Sequence, residues 1–337
     1  MSDGVAKKTG FSKHRVILLF LAPLLSAASA VPAQPAVRVE RSLDAMGTTY
    51  TIALYGEDRF VLDSAIDDAF EEAQRIDRLI SNYRQDSEWS RINREAAAGA
   101  VKVSEESFRL LEACLGYSRR SEGTFDITVG PLMKIWGFYK GTGRFPHRAE
   151  MRVAMARVGY RNIQLDPEAS TVRFARSGVE IDPGGIGKGY AVDRMAGVLR
   201  TRGVKSGLIS AGSSSIYAIG TPPGDPGWKV SVRHPKDPRR TVHDFLLKDE
   251  SMSTSGNYEK FFWSGGKLYS HIMDPRTGYP AQGMLSASVL APNTLDSEAW
   301  AKPFFILGRG WTAAHKPKQF RVYLCEDKSE PACALLP

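Results

Sequence analysis

The chain has 337 residues, 42% of them hydrophobic and 24% charged, with three cysteines and a formal net charge of +8. These values exclude a collagen, a coiled coil, a disordered tail and a disulfide framework, and a chain this long buries most of its unfolded surface without metal or disulfide staples. The positive excess points to an anionic partner only once its distribution is known.

Lys7, Lys8, Lys13 and Arg15 precede an apolar run from Val16 to Leu25, which leads into Ala27, Ala28, Ser29 and Ala30. A basic segment, a short apolar core and a small-residue end form the pattern of a secretory signal peptide over residues 1–30, cleaved near residue 30 or at Ala33. The run is shorter than the roughly 20 residues of a spanning helix. A retained inner-membrane anchor is the competing reading, and no cysteine at the cleavage zone supports a lipid anchor. Removing residues 1–30 leaves 41 basic and 36 acidic residues, a charge of +5. That is too mild to argue for nucleic acid, which requires basic residues clustered on one face. Export to the periplasm places Cys114, Cys325 and Cys333 in an oxidising compartment. A Cys325–Cys333 bridge and two free thiols both remain open, with Cys114 as a buried apolar residue of a helix.

In the mature part, Tyr50, Ile52 and Leu54 alternate with Thr51 and Ala53 as in a strand. Leu62, Ile66, Phe70, Ala73, Ile76 and Ile80 recur at helical spacing, which predicts an amphipathic helix over 61–80. A second helix follows Ser104 as its cap, with Phe108, Leu111 and Leu115 inward. Ala191, Met195 and Val198 line a third, which stops at Gly203 in a left-handed cap. Trp228, Val230 and Val232 alternate with Lys229, Ser231 and Arg233 as a half-buried strand. Helices and strands interleave without a fixed repeat. The expected fold is α+β, one mixed catalytic domain with room for two lobes and a cleft between them. The expected boundaries are 1–30 signal peptide, 31–40 linker, 41–325 domain and 326–337 C-terminal tail.

The segment from Ile181 to Tyr190 places Asp182, four glycines and Lys188 at a helix start. Open backbone amides, a positive dipole end and a cation favour an anion such as phosphate. Neither the Walker nor the Rossmann glycine spacing is present, and a glycine-rich turn with a solvated lysine is the alternative. A second cluster runs Ser253-Thr254-Ser255-Gly256-Asn257-Tyr258 and then Tyr269 to Gly278, including His271, Asp274 and Arg276. His271 is a candidate general base because its reference pKa lies near neutrality; a structural histidine bonded to backbone is the other reading. Thr124-Phe125-Asp126 puts a hydroxyl and a carboxylate on a turn. Gly-x-Ser-x-Gly is absent around Ser213-Ser214-Ser215, which argues against a nucleophilic serine. Paired cysteines and His-Glu-x-x-His are also absent, which argues against zinc.

Six segments in order resemble the ApbE family of flavin transferases. They are Met46-Gly47-Thr48; Ile80 to Tyr83 with Ser87-Glu88 and Arg91-Ile92-Asn93; Thr124-Phe125-Asp126; Asp182 to Asp193; Thr254 to Tyr258; and Tyr269 to Gly278. The resemblance implies a T-fold-related α+β domain and a Mg²⁺-dependent enzyme that cleaves FAD at its diphosphate, transfers FMN to a threonine of a target protein and releases AMP. It implies FAD contacts at Met46, Tyr83, Thr124, Phe125, Asp126, Asp182, Lys188 and Ile272, and a catalytic pair of Lys188 and a His271 that activates the acceptor hydroxyl. The implied acceptor is a protein with a flavinylation-type threonine motif, a membrane-bound redox subunit. The implied metal ligands fall on the Gly185 carbonyl, Glu298 and Lys302. There the sequence departs from the family, which has Asp and Thr at the last two positions. Glu can replace Asp with a longer arm, whereas a charged lysine cannot coordinate Mg²⁺. Lys302 therefore stands in for the cation, weakens the metal or marks a changed activity. FAD pyrophosphatase activity and a non-catalytic flavin-binding protein are the alternatives to transfer. Ser213-Ser214-Ser215 departs from the family's glycine and aspartate and marks a divergent subgroup. No acceptor motif of the chain's own points to self-flavinylation.

Overall fold

Tyr50, Ile52 and Leu54 bury completely on one face of a strand, and that alternation sets the architecture. The computed structural model describes residues 36–336 together with residues 1 and 4, and the expected signal peptide over 1–30 lies, apart from those two residues, outside the described residues. Residues 36–336 form one unit.

Its centre is an eight-stranded sheet whose spatial order follows the chain, with each strand antiparallel to the next. The strands are β1 (Val37–Ala45), β2 (Thr48–Gly56), β3 (Ser206–Ala211), β4 (Ser215–Ile219), β5 (Ser251–Gly256), β6 (Met284–Ala291), β7 (Arg321–Glu326) and β8 (Ala332–Leu336). Four helices pack around it: α1 (Arg59–Ile80), α2 (Glu105–Arg120), α3 (Gly187–Thr201) and α4 (Thr294–His315). Ile52, Leu54, Ile209, Val289, Val322 and Leu324 meet Ile66, Ile76, Val192, Met195 and Phe304 of the helices in the main core. The opposite face, with Ala53, Ile216, Ala218, Met252 and Leu290, is covered by a hairpin of Trp228–His234 and Asp237–Leu247. Strands β4 and β6 are therefore buried on both faces, which accounts for their apolar or small side chains throughout.

The predicted helices form where periodicity placed them. Helix α1 starts two residues earlier than 61, because the Asp58 carboxylate caps the Phe60 and Val61 amides. Ser104 caps α2 as expected. Gly203 takes φ +80° just past α3, a conformation that favours glycine.

Two boundaries are corrected. Residues 37–40, expected in a linker, belong to β1 and pair with Ala53 to Gly56. Residues 326–337 were expected as a tail, but Ala332–Leu336 is the edge strand β8 on β7. Cys325 and Cys333 lie directly opposite each other in that pair and are joined by a disulfide. A composition-based boundary misses a strand whose partner hydrogen bonds are made across the sheet. Cys114 is free and buried in α2.

Candidate active site

The β1–β2 turn, the β3–β4 turn, strand β5, the start of α3, α4 and the segment around His271 open onto one cleft of about 430 Å³. All the residues singled out for FAD, for proton transfer and for a metal line it: Met46, Tyr83, Thr124, Phe125, Asp126, Asp182, Gly185, Lys188, His271, Ile272, Glu298 and Lys302.

The glycine-lysine segment is held from behind. Asn82 and Asn93 both donate side-chain N–H groups to the Ile181 carbonyl, at 2.7 and 2.9 Å, and the Asn93 carbonyl oxygen accepts from the Ile181 amide at 2.8 Å. These bonds place the next residue, Asp182. Its buried carboxylate accepts from the Gly184 amide at 2.6 Å and from the Tyr139 hydroxyl. Burial pushes the Asp182 carboxyl up in pKa, against the bonds from Tyr139 and Gly184 and the nearby charge of Lys188. The segment is thus not a row of open amides. Gly184 serves Asp182, and Gly189 donates to Glu298. The sequence pattern counted both as free because their acceptors are identified only by the fold.

Helix α4 brings Glu298 and Lys302 to the same place. The carboxylate of Asp193, on α3, accepts from the Thr294 and Leu295 amides, both at 2.7 Å, and so docks the first turn of α4 on α3. Burial raises Asp193 to about 6 against those bonds. Gly189 allows the close approach: a Cβ there would stand 2.5 Å from the Thr294 carbonyl oxygen and 2.8 Å from a Glu298 carboxylate oxygen.

Glu298 is 2% exposed. One of its oxygens takes the Gly189 N–H, and the other faces the Lys188 and Lys302 ammonium groups at 3.2 and 3.7 Å. Burial opposes its ionisation, but the two lysine charges and the Gly189 N–H hold its carboxyl below the usual range. Burial lowers Lys302 to about 8, against the attraction of Glu298. The Lys302 Nζ also donates to the Glu298 carbonyl at 3.0 Å.

His271 is half-buried, and its amide and Nδ1 both face the Lys260 carbonyl, at 2.9 and 3.2 Å. A carbonyl only accepts, so Nδ1 carries the proton and Nε2 keeps its lone pair in the neutral ring. Burial pushes His271 down to about 4, helped by the charges of Lys188, Lys260 and Lys302. The ring is neutral at pH 7.

The Thr124-Phe125-Asp126 turn lines the cleft with its polar atoms already engaged. The Thr124 hydroxyl donates to the Ser121 carbonyl at 2.7 Å. The Asp126 carboxylate accepts from the Thr128 amide and hydroxyl and, at 2.6 Å, from the Tyr160 amide. The Phe125 ring, 3.5 Å from where a Cβ of Gly185 would stand, shapes the cleft wall beside them. Tyr83 is exposed at the rim with its ring 6.4 Å from Tyr139. Met46 takes φ +52°, and its sulfur accepts from the Tyr50 hydroxyl at 3.2 Å. Ile272 is buried beneath the cleft floor. Glu88, another quoted motif residue, is structural. Glu88 accepts from the Ser104 amide at 2.6 Å and hydroxyl at 2.8 Å, tying its helix to the start of α2. Sequence reasoning missed Tyr139 and Lys260: neither sits in a motif, and each acts through a partner more than ten residues away.

The Mg²⁺ implied by the resemblance does not fit this set. Of the three positions, Glu298 gives one oxygen to the Gly189 N–H and turns the other, which takes no hydrogen bond, towards two ammonium groups, Lys302 presents one of those ammonium groups, and the Gly185 carbonyl is the one uncharged oxygen of the set. Asp296, close in sequence, accepts from the Tyr117 hydroxyl and Asn293 amide outside the cleft. Among the described residues no three His, Cys, Asp or Glu side chains gather to hold a metal.

A sequence model of the ApbE family matches residues 46–324. The chain belongs to the ApbE family. Among its curated relatives, a protein of Klebsiella pneumoniae named FAD:protein FMN transferase is 31% identical over 267 residues, 78% of this chain and 80% of its own length. One of Treponema pallidum with the same name is 30% identical over 260 residues, 73% of this chain and 72% of its own. Among solved structures, the ApbE protein of Thermotoga maritima superposes with a TM-score of 0.81 at 28% identity, covering 89% of this chain and 97% of its own. The flavin transferase ApbE of Vibrio cholerae gives 0.78 at 26% identity, over 90% and 98%. The mixed α and β fold with its large antiparallel sheet is that of ApbE structures.

Proposed function

We propose that this chain, an enzyme of the ApbE family, is a FAD:protein FMN transferase whose acceptor is a threonine hydroxyl. The observation that carries the reading is the convergence of Lys188, the glycine turn and a neutral His271 on one cleft. Lys188 and the Gly187 and Lys188 amides at the start of α3 bind the FAD diphosphate, and Asp182 and Tyr139 hold that turn in place. The His271 Nε2 takes the proton of the acceptor hydroxyl. The hydroxyl oxygen forms a bond to the FMN phosphorus, the bond from that phosphorus to the bridging oxygen breaks, and AMP leaves with the bridging oxygen. Such a transfer depends mainly on positioning and on neutralising phosphate charge.

The proposed site of action is the periplasm, on a membrane-bound redox subunit. The leader pattern of residues 1–30 supports export, as does the Cys325–Cys333 disulfide, a bond that persists in oxidising compartments. The test is to incubate the mature chain with FAD and a peptide bearing Asp-Gly-x-Ser/Thr-x-Thr, then look for flavin fluorescence on the peptide in a denaturing gel. Covalent fluorescence supports transfer. Free FMN and AMP with an unlabelled peptide means that water is the acceptor, and FAD bound but intact means that the chain only binds flavin.

A further inference from the structure

Three charged groups share the inner end of the cleft: Glu298 and the ammonium groups of Lys188 and Lys302. The three sum to one positive charge, and the buried Asp182 carboxylate, engaged by Tyr139 and Gly184, lies on the Lys188 side of them. The FAD diphosphate carries two negative charges and demands a cation wherever it is desolvated. Lys302 is placed to supply one. Its stem runs 3.8 Å from where a Cβ of Gly185 would stand, against the glycine turn, and its Nζ is anchored by the Glu298 carbonyl at 3.0 Å. An ammonium has three donors, so this anchor leaves others for a phosphate oxygen. The buried Glu298 carboxylate fixes both lysines, and its second oxygen is tied to the α3 backbone, so the charges are preorganised rather than carried on free arms.

We propose that the Lys302 ammonium, held on Glu298, occupies the position of a divalent cation in this chain, so that the cleft binds a nucleotide diphosphate without metal. The assignment rests on the flavin-nucleotide reading above. It makes Lys302 a diphosphate-binding residue and Glu298 its positioning residue, in a cleft that rejects Mg²⁺ through like-charge repulsion.

Two measurements on the mature chain test it. The first is FAD affinity, from quenching of flavin fluorescence, in EDTA and in millimolar Mg²⁺. The wild type should change by less than about threefold between them, and Lys302→Met should bind about tenfold or more weakly in EDTA through loss of one charge-assisted contact. Wild-type binding that collapses in EDTA and returns with Mg²⁺ overturns the proposal, as does Lys302→Met binding FAD like the wild type in EDTA. The second is Mn²⁺ titration without flavin, followed by electron paramagnetic resonance. Wild type should take up none in the cleft, and Lys302→Thr should gain a site; one Mn²⁺ bound by the wild type and lost in Glu298→Gln overturns it. Should the wild type bind no FAD in either buffer, the flavin reading itself fails, and the Mn²⁺ titration still decides the role of Lys302.

Discussion

Gly189→Ala is the substitution whose effect can be worked most directly from the structure. The added Cβ would lie 2.5 Å from the Thr294 carbonyl oxygen, 2.8 Å from a Glu298 carboxylate oxygen and 3.0 Å from the Glu298 Cβ. Two of these three atoms belong to the backbone or to the stem of a buried side chain, so α4 has to retreat from α3. Overpacking of this kind costs about 1–3 kcal/mol, roughly 2–5 °C in Tm for a domain of this size. The retreat also stretches the Gly189 N–H bond to Glu298, so FAD affinity should fall by about tenfold, the worth of a hydrogen bond to a charged group. Gly197, two turns along the same helix, is exposed with nothing within 4 Å of its Cβ position. Gly197→Ala should therefore gain about 0.5–1 kcal/mol from helix propensity alone. Thermal melts and FAD titrations of the two variants side by side are the assay. If Gly189→Ala melts and binds like Gly197→Ala, the close approach of α3 and α4 does not set the site, and the reasoning is refuted.

His271→Gln should retain FAD binding within about threefold while losing transfer by roughly 10²–10⁴, the usual worth of a positioned base. The same variant carries a stability signature. A group at about 4 in the fold and near 6.5 unfolded binds its proton preferentially in the unfolded chain, so its contribution is present above pH 6.5 and is lost as pH falls towards 4. Urea midpoints at pH 7 and pH 5 should thus fall further for wild type than for His271→Gln, by about 2 kcal/mol at most. Asn93→Ala removes the acceptor of the Ile181 amide and one donor to the Ile181 carbonyl, and should cost about 1–3 kcal/mol in chemical denaturation and weaken FAD binding through Asp182. An affinity equal to wild type would show that Asn82 alone holds the turn. Cys325→Ser with Cys333→Ser opens a loop of 8 residues' separation and should cost about 2.5 kcal/mol on chain-entropy grounds, with unchanged FAD affinity. A variant as stable as wild type would mean that the β7–β8 pairing hydrogen bonds alone hold the edge.

Most elements were legible because their information is local. The 3.6-residue recurrence from Leu62 to Ile80 and the alternation at Tyr50, Ile52 and Leu54 each need only one buried face. Strand β8 was not legible, since Ala332 to Leu336 becomes a strand only when β7 offers its edge. In the site, Asp182, Lys188 and His271 stood out because glycines, a cation and a titratable ring were crowded into short segments. Tyr139 and Lys260 act through partners distant in sequence, so no local pattern marks their roles.

The sequence by itself determined the residue types: a lysine, Lys302, where the family resemblance leads one to expect a neutral oxygen ligand, and a histidine, whose reference pKa lies near neutrality. Only the tertiary structure decided their states. Packing α4 on α3 through Asp193 and Gly189 buries Glu298 between two ammonium groups, and the Lys260 carbonyl fixes the His271 tautomer. The reason is physical: charge, burial and hydrogen-bond direction depend on what lies within a few ångströms, and those neighbours are supplied by segments far away in the chain.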